Sequence, residues 1–252
     1  MSRLLAVYAT AIYAFLHLPL LILAIFSFNA SRFTVWEGFS LRWYRAALEN
    51  SQLVEACRNS LVIAAAATLV STCLGTLCAH GLWKRRSAPI TAGLYVSLVT
   101  PEVVMGISLL AFYQWLFRYL DVRLGLHTVV AAHVTFCLAY MVLVVLARLR
   151  TLEPALEEAA MDLGATEWQA FRRVTLPLLG PGVAAGAMLC FALSFDDYVI
   201  TSLVAGVDSE TLPMVIYAMA RRGVSPVVNA VSTIIVFGLG ILVLVAERLR
   251  QS

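Results

Sequence analysis

The sequence predicts an all-α polytopic membrane protein with six transmembrane helices. Of its 252 residues, 61% are hydrophobic and only 13% are charged, whereas a soluble domain carries about a quarter charged residues and under half apolar ones. The mean hydropathy of +0.86 agrees with this imbalance. The backbone of a lipid-embedded segment cannot bond to water, so apolar stretches of this length must cross as helices.

Six stretches supply the roughly 20 apolar residues that a helix needs to cross a bilayer. The first is too long for a signal peptide and lacks a small-x-small cleavage site, so we expect a retained anchor. The fifth contains Gly182-x-x-x-Gly186, a spacing that predicts close helix packing. We predict one transmembrane domain over residues 1–252, with spans at 4–28, 61–83, 90–117, 128–147, 178–200 and 227–246 and a cytoplasmic loop at 148–177.

Six crossings place both termini on the same side of the membrane. If that side is the cytoplasm, ten Lys and Arg residues lie inside and eight outside, which agrees weakly with the positive-inside rule. The compact Lys84-Arg85-Arg86 turn supports the same orientation. The net charge of +3 is spread over loops rather than concentrated in a basic tract, so nucleic acid is not an expected partner.

The sequence gives no sign of an enzyme. Its five cysteines form no C-x-x-C pair, and it contains no HExxH. Its only lysine, Lys84, follows Leu82-Trp83, so a Walker A GxxxxGK[ST] is impossible. We therefore expect no catalytic residue, no metal ligand and no cofactor in this chain. Any ATP and Mg²⁺ would be bound by a partner ATPase.

Three acids interrupt the predicted spans, and no Lys or Arg lies inside them. Glu102 follows Pro101 about 18 Å along the third span, where the proline should kink the helix, and Asp196-Asp197 lie near the outer end of the fifth. An acid at the membrane centre costs roughly 2.5 kcal/mol or more, so these acids are candidates for function. They favour a cationic substrate over an anion. On a regular helix Asp196 and Asp197 point about 100° apart, so one of them faces a substrate while the other caps a helix or meets solvent.

The cytoplasmic loop has its own helical pattern. Pro154 suits a first helical turn, and the apolar spacing that follows predicts one short helix. Gly164 fits a C-cap, and Thr166 to Gln169 has the form of a capping box that begins a second short helix. We expect Pro177 to end that helix before the fifth span. For an arbitrary loop, an amphipathic hairpin on lipid headgroups would be the default explanation.

The spacing in this loop resembles a known family motif. Glu158-Ala159-Ala160, three residues, Gly164, nine residues and then Val174-Thr175-Leu176-Pro177 resembles the EAA loop of bacterial ABC importer permeases, with Val174 in place of isoleucine. The resemblance implies a type I ABC importer permease fold with a cytoplasmic EAA coupling helix that seats in the ATPase. The residues implied to couple to the ATPase are Leu156, Glu158, Ala159, Ala160, Gly164, Leu176 and Pro177.

Over nearly its whole length the chain is similar to the spermidine/putrescine importer permeases. The matching segments include Thr100–Leu110, Ser194–Asp197, Thr211–Pro213 and Gly223–Ala230. Glu102 stands where that family usually has aspartate, and Arg42-Trp43-Tyr44 falls where it has a tryptophan-tyrosine pair near the substrate entrance. The resemblance implies a substrate pathway containing Glu102, Asp196, Asp197 and Trp43, on whose ring a cation would gain about 0.5–2 kcal/mol.

The resemblance also implies partners and a location. We expect a homologous second permease, a dimer of ATP-binding cassette ATPases, a periplasmic polyamine-binding protein and membrane lipid. The expected location is the bacterial inner membrane, with both termini cytoplasmic. Two alternatives stay open: an ABC permease for another cation, such as iron(III) or thiamine, and a proton-coupled secondary transporter that uses Glu102 and His133.

Overall fold

The computed structural model describes residues 2–33, 35–120, 122–223 and 225–251, with side-chain surroundings for those between 4 and 241, and the regular secondary structure of this part is helical. A π-helical turn at Phe171–Thr175 joins the helix that ends at Ala170 to the helix that begins at Leu176. The helices are α1 Ser2–Ser27, α2 Arg42–Glu49, α3 Ser51–Lys84, α4 Ala88–Val99, α5 Glu102–Phe117, α6 Leu126–Leu149, α7 Ala155–Asp162, α8 Glu167–Ala170, α9 Leu176–Asp196, α10 Val199–Val204, α11 Leu212–Arg221 and α12 Pro226–Gln251.

Four helical segments among the described residues are long and apolar enough to cross a membrane. The bent pair α4–α5 makes a fifth if it counts as one span, and the apolar part of α12 covers the shorter segment Pro226–Ile241. The all-α membrane architecture is therefore confirmed, while the count of six spans stays a prediction. The four segments are Leu4–Ser27, Ser51–Lys84, Leu126–Leu149 and Glu167–Asp196.

The predicted third span is broken in the middle. The helix axis bends by 112° between α4 and α5. Thr100 between them is extended, with ψ 126°. Pro101 explains the break, because proline lacks an N–H and forces the preceding residue out of helical geometry. The kink predicted at Pro101 is confirmed, but Glu102 begins a helix instead of lying along a straight one.

The chain divides into two compact units. One contains the residues up to Glu55 together with those from Val215 onward, and the other contains Ala56–Met214. In the first unit, α12 packs against α1 and α2. The prediction of a single transmembrane domain is not tested by these contacts and stays a prediction.

The second unit is built around α6. Its core includes the fully buried Met141, which fills the space left by two glycines on neighbouring helices, Gly75 on α3 and Gly186 on α9. A Cβ at Gly186 would lie 2.5 Å from Met141 Sδ, and one at Gly182 would lie 2.9 Å from the Arg148 side chain. The close packing predicted from Gly182-x-x-x-Gly186 is therefore confirmed between α9 and α6.

Candidate functional site

Glu102 and Asp196 are the two predicted pathway acids that lie open on the surface. Glu102 is the first residue of α5 and Asp196 is the last residue of α9, and both side chains are exposed. Neither makes a hydrogen bond or an ion pair within the part of the chain described here. The N-terminus of α5 favours a negative charge at Glu102. Both carboxylates are thus available to a cation.

Asp197 is placed differently from its neighbour. Only 6% of its side chain is exposed. One oxygen accepts the backbone N–H of Ile200 at 3.3 Å, and the other accepts the N–H and hydroxyl of Thr201 at 2.8 and 2.7 Å. Asp197 therefore caps the short helix α10. The continuous helix predicted over 178–200 is wrong, because the backbone turns extended at Asp197 to allow this cap.

A histidine completes the surroundings of Asp197. The side chain of His133 on α6 is 1% exposed, and its Nε2 lies 2.9 Å from Thr201 Oγ1 and 3.3 Å from Asp197 Oδ2. Its Nδ1 lies 2.7 Å from Ser194 Oγ. The sequence analysis included His133 only as part of a proton pathway. The spacing of Ser194, Asp197 and Thr201 by three and four residues was the signal for a shared polar face.

Trp43 lies in the first unit, at the start of α2, and is buried. Its Nε1 donates to the backbone oxygen of Asn29 at 2.8 Å, and the Arg42 guanidinium lies 4.1 Å from the ring centroid. The Asn29 carboxamide in turn binds the loop after α1, donating to Val35 O and accepting from Glu37 N. In this arrangement a cation already covers one face of Trp43, and the residue holds the loop in place.

The loop predicted over residues 148–177 forms the short helix that its pattern predicts. Helix α7 covers Ala155–Asp162, and Gly164 then turns the chain with φ +91°, a conformation that L-residues rarely adopt. The capping box at Thr166 and Gln169 is confirmed, with reciprocal hydrogen bonds of 2.9 and 3.3 Å. The apolar stripe of α7 is open to solvent, since Leu156 and Leu163 are 47% and 91% exposed.

The second short helix does not end where the sequence suggested. The helix that begins at Glu167 continues through the π-helical turn to Asp196, so the expectation that Pro177 ends it is wrong. In the π-helical turn Leu176 N–H donates to Phe171 O, five residues back. Pro177, which has no N–H, follows where the hydrogen-bond ladder is already displaced. Leu176 is half-buried and Pro177 is exposed.

Glu157 joins α7 to the C-terminal end of α3. Its carboxylate is buried, 2.6 Å from Lys84 Nζ and 3.4 Å from His80 Nε2, and it accepts the Thr175 hydroxyl at 2.7 Å. Burial alone would raise the pKa of Glu157, but the hydrogen bonds from Lys84, Thr175 and His80 outweigh it and hold that pKa below its ordinary value. The sequence analysis missed this cluster, although the i, i+4 spacing of His80 and Lys84 was visible.

Comparison with known proteins gives a family and a set of relatives. The family model described as "Binding-protein-dependent transport system inner membrane component" matches residues 59–251. The spermidine/putrescine transport system permease protein PotC of Escherichia coli K12 is 42% identical over 246 residues, which is 96% of this chain and 91% of that protein. The putrescine transport system permease protein PotI of the same strain is 41% identical, over 93% of this chain and 86% of that protein.

Solved structures share the fold at low sequence identity. A crystal structure of a bacterial ABC transporter that imports the acidic polysaccharide alginate matches with a TM-score of 0.78 and 17% identity, covering 99% of this chain and 96% of that one. The inward-facing MetNI methionine ABC transporter matches with a TM-score of 0.60 and 17% identity, over 80% of this chain and 96% of that one. These likenesses support the fold alone.

Proposed function

Since the chain belongs to the family of binding-protein-dependent transport system inner membrane components, we propose that it is a permease subunit of an ATP-driven polyamine importer. The observation that carries the polyamine assignment is the 42% identity to a spermidine/putrescine permease over 96% of this chain. Spermidine and putrescine are the substrate class. The chain is an inner-membrane protein that forms part of the translocation pathway.

The geometry of the acids supports a cationic substrate. Glu102 and Asp196 present exposed carboxylates at helix ends, on a chain whose six spans, as predicted from the sequence, carry no basic residue. In transit, each substrate ammonium would exchange part of its hydration shell for one of these carboxylates, a favourable exchange away from bulk water. We assign Asp197 and Trp43 structural roles, each within its own unit, because the side chains of both are buried and already bonded.

The cytoplasmic face supports a partner ATPase. Helix α7 exposes Leu156, Glu158 and Ala159 on its outer side, while Glu157 anchors its inner side to α3 and to the π-helical turn. Closure of an ATPase dimer on ATP would therefore move α7 and α3 together. In this proposal the ATP and Mg²⁺ bind on that dimer, a homologous permease forms the other half of the pathway, and a periplasmic binding protein delivers the polyamine.

Uptake of labelled polyamine tests the assignment. The full set of transporter subunits is expressed in cells that lack their own polyamine importers, with this chain present or absent. We expect uptake of spermidine or putrescine that needs both this chain and the ATPase. Failure of uptake while the ATPase co-purifies would contradict the polyamine assignment and leave an ABC permease for another cation.

Glu102→Gln tests the pathway within the same cells. Losing this unpaired carboxylate removes a charge-assisted contact to an ammonium group, worth about 1.5–3 kcal/mol, so we expect uptake to fall by roughly 10- to 100-fold while the complex still assembles. The control is Glu49→Gln, which removes an exposed acid paired with Arg45 and should leave uptake within about twofold. Wild-type uptake by Glu102→Gln would remove Glu102 from the pathway.

The proton-coupled alternative predicts a different energy source. It needs a proton path between Glu102 and His133, yet the described hydrogen bonds of the His133 ring go to Ser194 and Thr201, and none reaches Glu102. Uptake that persists without the ATPase and stops with a protonophore would overturn the ABC proposal. For the iron(III) alternative, the described residues contain no group of three His, Cys, Asp or Glu side chains suited to a metal ion.

A further inference from the structure

The hydrogen bonds around His133 have a defined direction. Thr201 has one hydroxyl proton, and it is donated to Asp197 at 2.7 Å. Thr201 Oγ1 must therefore accept from His133 Nε2, which carries a proton. His133 Nδ1 makes the second ring hydrogen bond, with Ser194 Oγ at 2.7 Å. The chain Ser194–His133–Thr201–Asp197 is thus satisfied at each step, without exposure to solvent.

This network fixes the position of α10. Asp197 and Thr201 frame the start of that helix, and His133 connects both of them to α6. On its other side α10 packs closely against α5, where a Cβ at Gly106 would lie 2.5 Å from Leu203 Cδ1 and 3.4 Å from Ile200 Cα. Gly106 follows Glu102 by one helical turn. The position of α10 therefore determines where α9 ends with Asp196 and where α5 begins with Glu102.

We propose that His133 is a positioning residue for the substrate pathway, which holds the open carboxylates of Asp196 and Glu102 in place through Asp197, Thr201 and α10. The inference rests on the proposed function for the identity of the substrate. His133 itself contacts no substrate, because its side chain is 1% exposed. A network that served stability alone would affect assembly and leave the affinity for substrate unchanged.

Three variants separate these roles in the complete transporter reconstituted into vesicles. His133→Leu keeps a side chain of similar bulk but removes the donor to Asp197 and Thr201. His133→Gln retains an amide N–H donor near the position of Nε2. The matched control is His127→Leu, on the same helix α6 but exposed. The measurements are the KM and kcat of spermidine uptake and the amount of assembled complex.

We expect His133→Leu to raise the KM by about tenfold or more, because Asp197 loses one of its buried polar partners and the Thr201 hydroxyl loses its donor, so that the end of α9 is no longer held in place. His133→Gln should recover most of the affinity, and His127→Leu should match the wild type. An unchanged KM in assembled His133→Leu overturns the inference. If His133→Leu does not assemble, Thr201→Val decides, since it removes the connecting hydroxyl without changing shape. It should raise the KM, and a wild-type KM would overturn the inference.

A second measurement needs no transport. Asp196→Cys is reacted with a membrane-impermeant cationic thiol reagent, and modification at position 196 is followed by peptide mass spectrometry with and without His133→Leu. We expect the rate of modification at position 196 to differ by about tenfold between the proteins with and without His133→Leu. Equal rates overturn the inference. If wild-type vesicles take up no polyamine while the rate still changes, the substrate assignment fails and the positioning role stands.

Discussion

The carboxylate of Glu157 is buried beside Lys84 and His80 of α3, and only 3% of the residue is exposed. Removing one member of a buried ion pair leaves the other charge uncompensated, at a cost of about 3–5 kcal/mol. We therefore expect Glu157→Gln to lower the melting temperature of the assembled transporter and to weaken retention of the ATPase in a pull-down. Glu153→Gln, an exposed acid in the same loop, should change stability by no more than about 0.5 kcal/mol. Equal melting temperatures for the two variants would contradict this role of Glu157.

The same carboxylate gives a pH dependence with a definite sign. Its pKa in the folded protein lies below the ordinary value of 4.5, because hydrogen bonds from Lys84, Thr175 and His80 outweigh burial. A carboxyl whose pKa is lower in the folded than in the unfolded protein stabilises the fold at pH values above its unfolded-state pKa. That stabilisation is lost as the pH falls through its folded-state pKa. The stability difference between wild type and Glu157→Gln should therefore shrink once the pH drops below 4.5. Thermal melts of both proteins in a pH series measure it, and a difference that grows with acidity would refute the lowered pKa.

Two glycines of helix α3, Gly75 and Gly81, differ in how closely neighbouring side chains approach them. A Cβ at Gly75 on α3 would lie 2.7 Å from Met141 Cγ and 2.8 Å from Met141 Cβ, and the Cβ atom cannot move without the backbone of α6. Gly75→Ala should therefore cost about 1–3 kcal/mol through overpacking. Gly81→Ala, on the same helix, meets nothing within 4 Å and should be neutral or stabilising by about 0.5–1 kcal/mol.

Thermal melts of the purified complex measure both changes. The stability cost of Gly186→Ala should fall between these two, because the tight contacts of its Cβ would be with the sulfur and terminal methyl of Met141, which can rotate away, while Val144 Cγ1 lies at an ordinary contact distance of 3.6 Å. Shortening the methionine in a Gly75→Ala, Met141→Ala double variant removes the contact with Cγ but leaves the one with Cβ, so the clash should be relieved in part and the two costs should add incompletely. Equal stability of the Gly75 and Gly81 variants would show that the two helices do not pack as described.

The elements that the sequence predicted well are those determined by local chemistry. Pro101 breaks the third span, Gly164 turns the loop, and the capping box begins at Thr166, since each depends on residues within a few positions. The end of α9 could not be predicted in this way. Asp197 leaves the helix because it caps α10 and meets His133, a residue 64 positions earlier in the chain whose contact with it depends on the tertiary fold.

The acids predicted to line the substrate pathway show the same division between local and distant causes. Sequence reasoning found Glu102 and Asp196 because an acid in an apolar span is rare, and both are exposed in the structure. It could not decide between Asp196 and Asp197, since adjacent residues share the same local surroundings. The hydrogen bonds of Asp197 distinguish them, by satisfying one carboxylate and leaving the other open.

The number of crossings is a property of the whole molecule. Four helical segments and the bent pair α4–α5 give at most five spans by length and composition among the described residues, and the sixth depends on α12. The sequence of residues 227–246 contains no charged residue and is long enough to cross a bilayer. If α12 crosses, its two ends lie on opposite sides of the membrane.

Reporter fusions therefore decide between five and six spans. Alkaline phosphatase, which is active only outside the cytoplasm, is fused after Gly223, and a fluorescent protein that matures only in the cytoplasm is fused after the last residue. With six spans and a cytoplasmic N-terminus, both reporters should be active, since α12 separates them and ten of the 18 basic residues then lie inside. A phosphatase fused after Ser87, beside the basic turn at Lys84–Arg86, is the inactive control. An active phosphatase after Gly223 combined with a dark C-terminal reporter would show that α12 does not cross and that the chain has five spans.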